Sequence, residues 1–565
     1  MKRFMYLITI LALLALFASC GAPAATPTAA PKASAPQAAA TAAPTAAQPA
    51  TPGAPVSAAT AAPAATAAPT AIPVPKVRRG GELRWAVPQQ PTCLDPTMCQ
   101  TSNHLLYDAL TAVEWNEAKQ VWDIVPELAT SWEIPKPDTI IFKLQKGVKF
   151  HDGTDFNAEI AKWNLDRMRQ EPKSWAKDYV QLISSVDVLD PDTIKLNLRS
   201  NSVAPQLAGV SAAADPVAFV SKAAVDRLGE EFQRTGAVGT GPMQFVEWRP
   251  SDYLKLKKFP NHWRKGVDGQ PLPYLDAATQ RVIADSTVHL LEMRSGTLDI
   301  NDEVDPKDMA SVRSNPDLKL QASPSAGSIK FTYGVNPNKG KFYQNLKLRQ
   351  ALEYSLDRES LAKVVGFGET TPHQYPFWIQ GYPGWDTKNP SYDYNPDKAK
   401  QLLTEAGFPN GLEFSLTFPS RTEEQRISQV AQAMWAKVGL KVVLDGFERL
   451  AWQNKLKTGD FDATFWSGTL GPDPDQNTRN LVTGMAGNWI GYSTPQMDKC
   501  MDEGRTTPDP KARHEVYVKC QKIIYEEAIW GSGYLKTTTC AARSKVQGLK
   551  WQWRVQDFRE VWFSQ

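Results

Sequence analysis

The chain has 565 residues, with 63 Lys+Arg against 60 Asp+Glu, a formal net charge of +3, six Cys, 43 Pro and 18 Trp. So even a balance provides no basic stripe to neutralise a phosphate backbone, which excludes nucleic acid as an expected partner. At 42% apolar residues the chain can bury sizeable cores, and its length exceeds one ordinary domain.

Lys2 and Arg3 precede an apolar run from Phe4 to Ala18. The run is too short to span a bilayer but suits the hydrophobic region of a secretory signal. It stops at Leu16-Phe17-Ala18-Ser19-Cys20-Gly21, which resembles a bacterial lipoprotein signal, with Phe17 where Leu is usual. The resemblance implies that residues 1–19 are removed and that Cys20 carries lipid. Residues 21–77 are mostly Ala, Pro and Thr; frequent Pro removes backbone donors and blocks the helical turn. Residues 20–77 are therefore expected to form a lipidated, disordered tether, and the folded part to work outside the cytoplasmic membrane, either periplasmic or anchored to the outer face.

Five cysteines remain in that oxidising space: Cys93, Cys99, Cys500, Cys520 and Cys540. An odd number leaves at least one without an internal partner. Cys93 and Cys99 are near enough in sequence to close a small disulfide loop. No Cys-x-x-Cys or adjacent His supports a metal, and none is expected.

Leu83 to Val87 reads as a short strand after Gly80-Gly81. Ile134 to Leu144 reads as a hairpin around Pro135-Lys-Pro-Asp138, and Val186 to Leu198 as a second around Asp190-Pro-Asp-Thr193. Gly239-Thr-Gly-Pro242 is a tight lead-in to a strand from Met243 to Val246, and Tyr253 to Phe259 alternates. Leu348, Ala351, Leu352, Ser355, Leu356 and Leu361 fall on one helical face; so do Ile427, Val430, Ala431, Met434, Trp435 and Val438, stopping at Gly439 before a strand from Leu440 to Leu444. Strands alternating with helices over this length predict an α/β protein of several lobes.

Several segments then stand in a recognisable order: Gly80-Gly-Glu-Leu-Arg-Trp-Ala86, Leu94-Asp-Pro96, Pro126-Glu-Leu-Ala-Thr-Ser-Trp-Glu133, Phe142-Lys-Leu-Gln-Lys-Gly-Val-Lys-Phe-His-Asp-Gly153, Gly239-Thr-Gly-Pro242, Pro260-Asn-His-Trp263, Leu348-Arg-Gln-Ala-Leu352 and Gly491-Tyr-Ser-Thr-Pro495. From about Gly80 onward the chain resembles the family 5 extracellular solute-binding proteins, the dipeptide, oligopeptide and nickel receptors of ATP-driven importers. The resemblance implies a two-lobe periplasmic-binding-protein fold with an inserted third lobe. Lobe I would comprise 78–114, 236–330 and 535–565, the inserted lobe II 115–235, and lobe III 331–534. It also implies a monomer, with a small-molecule or peptide ligand, the transmembrane subunits of an ABC permease and the membrane as its partners.

Enzyme motifs are missing: there is no Gly-x-Ser-x-Gly elbow, His-Glu-x-x-His helix or phosphate loop, and His104, His151, His262, His289, His373 and His514 are scattered. No catalytic residue and no cofactor is expected, and His151 is expected to satisfy backbone groups. A surface-anchored hydrolase is the alternative in another class, and a sensor without a permease a third. Peptide-binding members hold the ligand amine with an Asp in a Trp-x-x-Asp arrangement. Here Trp466 is followed by Thr469 in that place, with Asp473-Pro474 matching the family's later acidic-Pro pair. The amine anchor is thus missing or moved, which leaves an oligosaccharide or other amine-free solute as the alternative ligand. Arg421, in Phe418-Pro-Ser-Arg-Thr422, is the candidate for a ligand carboxylate, since guanidinium matches its fork geometry. Thr101 and Ser102 would offer hydroxyls near the hinge, and Trp378 and Trp466 would cover an apolar group or a sugar ring. The ligand-binding set expected from sequence is Thr101, Ser102, Trp378, Arg421, Trp466, Thr469 and Asp473.

Overall fold

The computed structural model describes residues 76–564 except 89–91, 100, 102–103, 119–120, 203–205, 207–208, 212–216, 325–327, 380–382, 470–472, 486 and 554. The signal, Cys20 and the tether lie outside the described residues. The remainder is a lobed α/β body built on two large sheets and a small one.

The first large sheet has the order Leu318–Ala322, Thr539–Arg543, Ile300–Asn301, Glu82–Val87, Ala277–Val282, Tyr253–Lys258, Met243–Arg249. Glu82–Val87 runs parallel to both its neighbours. Val87, Trp85 and Ile300 face a core with Leu94 and Phe558, while Ala86 and Ala541 face Met293 and Val312 of the helices Ser286–Ser295 and Pro306–Arg313. The second large sheet has the order Thr370–Pro372, Tyr534–Lys536, Ser328–Val335, Ala463–Thr469, Leu412–Pro419, Leu440–Phe447, with Trp530–Ser532 also pairing to Ser328–Val335. Leu412–Pro419 is parallel to both its neighbours. The helix Thr422–Ala436 packs on this sheet because Ile427, Ala431, Met434 and Trp435 recur at helical spacing and are buried.

The single helical face read across residues 348–361 is two helices, Leu346–Tyr354 and Arg358–Gly366. The break has a local cause: the Asp357 carboxylate accepts a hydrogen bond from the Ser360 backbone N–H and starts a new helix. The small sheet pairs two hairpins in the order Ala129–Lys136, Thr139–Leu144, Thr193–Leu198, Ile183–Asp190, covered by the helix Ala158–Gln170.

The chain passes between the large sheets twice. It leaves Leu318–Ala322 for Ser328–Val335, and it returns from Tyr534–Lys536 to Thr539–Arg543. The crossovers are bonded together where the Ser323 N–H donates to the Thr538 carbonyl at 2.8 Å, and the Ser323 hydroxyl donates to the carbonyl of Trp553, between the strands Lys550–Gln552 and Val555–Asp557, at 2.7 Å.

An enclosed ionic network ties the C-terminal segment to the root of the small sheet. Arg559, 1% exposed, donates to Asp557 at 2.8 Å and to Glu127, and lies 3.6 Å from Asp108. Asp108 also accepts from Thr240 and from the Trp263 indole, and Glu127 from the Ala109 N–H. In the lead-in at Gly239-Thr-Gly-Pro242, a Cβ on Gly239 would come within 2.1 Å of the Leu106 carbonyl oxygen, so glycine is required by close backbone approach. His151 accepts from the Gly239 N–H and its Nε2 bonds the Gly241 carbonyl, a backbone role. Cys93–Cys99 and Cys500–Cys520 are disulfides, and Cys540 is a buried free thiol.

Candidate functional site

In open sheets with parallel strands, ligands collect at the carboxyl ends of those strands, where chains diverge into loops and helix N-termini. Both large sheets have such an edge. On the first, Glu82–Val87 runs into the loop that holds the Cys93–Cys99 disulfide and Thr101, and Ile300–Asn301 runs into the turn Asp302-Glu303-Val304-Asp305. On the second, Leu412–Pro419 ends beside Arg421 at the cap of Thr422–Ala436, and Leu440–Phe447 ends beside Arg449 at the start of Arg449–Thr458. Ala463–Thr469 ends on that same edge, with Thr469 opposite Ser328.

Three ion pairs cross between the two lobes, two of them, Lys536–Glu303 and Arg426–Asp305, at these edges. Lys536 Nζ lies 2.9 Å from Glu303 of the first sheet and 3.6 Å from Glu423 of the second. Arg426 approaches Asp305 at 3.5 Å, and Arg313 reaches Glu369. Burial opposes the charge of Lys536, but Glu303 and Glu423 outweigh it and hold the ammonium above its ordinary range. The site is therefore the gap between two carboxyl edges, backed by the bonded crossovers.

The sequence-predicted residues divide between edge and interior. Arg421 is exposed at the edge, with Glu424 at 3.7 Å. Thr101 is buried on the opposing loop, and Ser102 lies outside the described residues. Trp466 stands opposite Thr332, near the end of the strand that Thr469 closes; their side chains lie outside the described part.

Two of the expected residues need correcting. Trp378 is fully buried within the second lobe, close to Gly384 and the helix Pro510–Glu527, so it is core and not rim. Asp473 is spoken for: Arg513 donates to both its oxygens at 2.8 Å and also bonds the Gly504 carbonyl and the Tyr517 hydroxyl. It fastens one segment of the second lobe to the helix Pro510–Glu527. Neighbouring Asp475 is likewise paired, with Arg505 at 3.0 Å.

Two edge residues were missed. Arg449 is exposed by area, yet burial and then the nearby Arg421 hold its guanidinium below the ordinary arginine value. It makes no hydrogen bond or ion pair among the described residues. Two guanidiniums that follow neighbouring parallel strand ends are candidates for an anion, with Glu424 and Glu448 alongside them. The signal was present, since Arg449 follows a strand end just as Arg421 does. The other is Asp302, on a turn whose two-residue strand is too short to show a period. Among the described residues no group of three or more His, Cys, Asp or Glu is placed to hold a metal, and no helix is long and apolar enough to cross a membrane.

This geometry is that of a two-lobed binding protein, and comparison with known proteins agrees. Residues 123–489 match the bacterial extracellular solute-binding proteins, family 5, middle region. Glutathione-binding protein GsiB of Escherichia coli (strain K12) is 31% identical over 415 residues, covering 69% of this chain and 76% of that protein. The solved structure of the ABC transporter-associated periplasmic binding protein DppA from Helicobacter pylori, in complex with the peptide STSA, superposes with TM-score 0.75 at 25% identity, covering 86% of this chain and 99% of that one. The oligopeptide-binding protein AppA from Bacillus subtilis, in complex with a nonapeptide, gives TM-score 0.75 at 23% identity, covering 87% and 100%. The chain belongs to the family 5 extracellular solute-binding proteins.

Proposed function

We propose that this chain is the extracytoplasmic receptor of an ABC importer. It captures a peptide or similar small solute between its two large lobes and delivers it to the permease, tethered to the membrane by lipid on Cys20. The observation that carries the reading is the pair of facing carboxyl edges joined by two bonded crossovers, in a chain of this family. Arg421 and Arg449 take the anionic end of the solute. A solute that touches both edges favours the closed form by its differential affinity, and closure presents a new surface to the permease. The chain itself catalyses nothing.

A second reading has one observation in its favour. With Thr469 at the usual acidic place and Asp473 held by Arg513, neither position to which the family pattern points offers a free carboxylate for an amine, which suits an amine-free solute. Native mass spectrometry of the chain purified without added ligand separates the two. Bound masses that fit short peptides support the first, and a single amine-free mass the second. If no mass is carried and peptide mixtures produce no thermal shift, the receptor reading fails.

A further inference from the structure

Asp302 sits one residue past Ile300–Asn301, at the carboxyl edge of the first sheet. The antiparallel register Asn301↔Ala541 places it across from Cys540, and Cys540 is opposite Gln321 on the next strand. Residues directly opposite in a ladder share a face, so Asp302 and Gln321 flank Cys540 on one side of the sheet. The turn that carries Asp302 is the one that meets the second lobe through Glu303 and Asp305.

The other enclosed carboxylates each have a counter-ion. Asp557 and Glu127 have Arg559, Glu353 has Arg358, Asp473 has Arg513, and Asp299 has Arg84 and Lys545. The Asp302 carboxylate makes no hydrogen bond or ion pair among the described residues. The charged and titratable groups against it are Glu303 on its own turn and the Cys540 thiol on the neighbouring strand, neither a cation. The Gln556 amide donates to the Asp302 carbonyl, not to its carboxylate. Burial, then Glu303, pushes its carboxyl up to about 7, although the residue is only partly buried by area. Asp302 is thus largely enclosed by protein yet still reached by solvent. Gln321 Oε1, on the same face, is a buried acceptor that also has no partner.

Two unpartnered acceptors, one of them a carboxyl that an arriving cation would draw into its ionised form, match a group with several N–H donors and a positive charge. We propose that Asp302, with Gln321 beside it, holds the ammonium group of the solute from the first lobe, the reverse of an anchor on the second. This rests on the receptor reading above and gives it a polarity: ammonium on the first edge, carboxylate on Arg421 and Arg449. A residue kept uncompensated for a ligand weakens the empty protein, so its removal relaxes the fold while it disables binding.

The test titrates the full chain and its D302N variant with the tetrapeptide Ser-Thr-Ser-Ala and with glutathione, each with a free and an N-acetylated amine. Ligand-free melting is measured alongside. Wild type is expected to prefer the free amine by about tenfold or more, and D302N to lose about tenfold or more for the free form and bind both forms alike. Its ligand-free melting temperature should equal or exceed that of wild type. Unchanged affinity in D302N, or equal binding of free and acetylated probes by wild type, overturns the assignment and leaves the receptor standing. A fall in melting temperature with equal loss for both forms overturns it in favour of a structural role. If wild type binds neither probe in either form, the assignment fails together with the peptide reading.

Discussion

At the seam between the first large lobe and the small sheet, Arg559 is enclosed with Asp557, Glu127 and Asp108, and each carboxylate has further donors. At the facing edges of the large sheets, Arg449 makes no ion pair among the described residues and only Glu448 offsets its charge, Asp302 has no cation beside it, and Arg421 stands exposed near Arg449. Both regions concentrate charge in partly or wholly dry surroundings, but at the seam every carboxylate has a cation beside it, Arg559 or Arg264. Desolvated charge is unfavourable unless it is paired. A complete network therefore reads as architecture, and an incomplete one as a site whose missing members arrive from outside.

Removing one member of the complete network should have the largest effect. R559M takes the shared cation from three enclosed carboxylates, leaving Glu127 only Arg264 at 3.7 Å, and is expected to destabilise by about 3–5 kcal/mol in chemical denaturation. A loss under 1 kcal/mol would erase the contrast. D473N tests the same logic within the second lobe: Arg513 loses its bidentate partner, with an expected loss of about 3 kcal/mol and little change in ligand affinity. An affinity change larger than the stability change would return Asp473 to the ligand set.

On the incomplete side the pattern should invert. R449A is expected to weaken an anionic solute by about 1.5–3 kcal/mol in calorimetry, with ligand-free stability unchanged or raised because Arg421 loses a like-charged neighbour. R421A should do the same. A further test is a pH dependence. Asp302 has its folded value raised from 3.8 to about 7, so the protonated acid is the form that folding favours. The stability this contributes is present below about pH 4 and is lost as pH rises through 7. The melting difference between D302N and wild type should thus be near zero at low pH, open between pH 4 and 7, and then level off. A constant difference would mean that the carboxylate is compensated after all.

Much of the scaffold was legible in the sequence because it is written in local terms. The hairpin turns at Pro135 and Asp190, the strand from Leu83 and the helix that stops before Gly439 each carry a period or a breaker. The helix break at Asp357 was hidden because the apolar period runs through it unbroken. The edge was half legible: Arg421 follows a long strand, whereas Asp302 follows a strand of two residues. The commitment of Asp473 was invisible, since its partner Arg513 lies on a helix far along the chain and pairs through tertiary packing alone. Trp378 misled for a related reason, because an indole in an irregular segment looks the same in sequence whether it faces a gap or fills a core.

The crossovers at Ser323 and Thr538 have a mechanical consequence. A body held by one strand can swivel, whereas two strands stitched side by side behave as a pair of pins on one axle. Opening then has a single coordinate, an angle, and every point on one rim moves along an arc fixed by its distance from the axle. If the solute bridges Asp302 and the two arginines as proposed above, its length sets the angle at which the two edges come to rest.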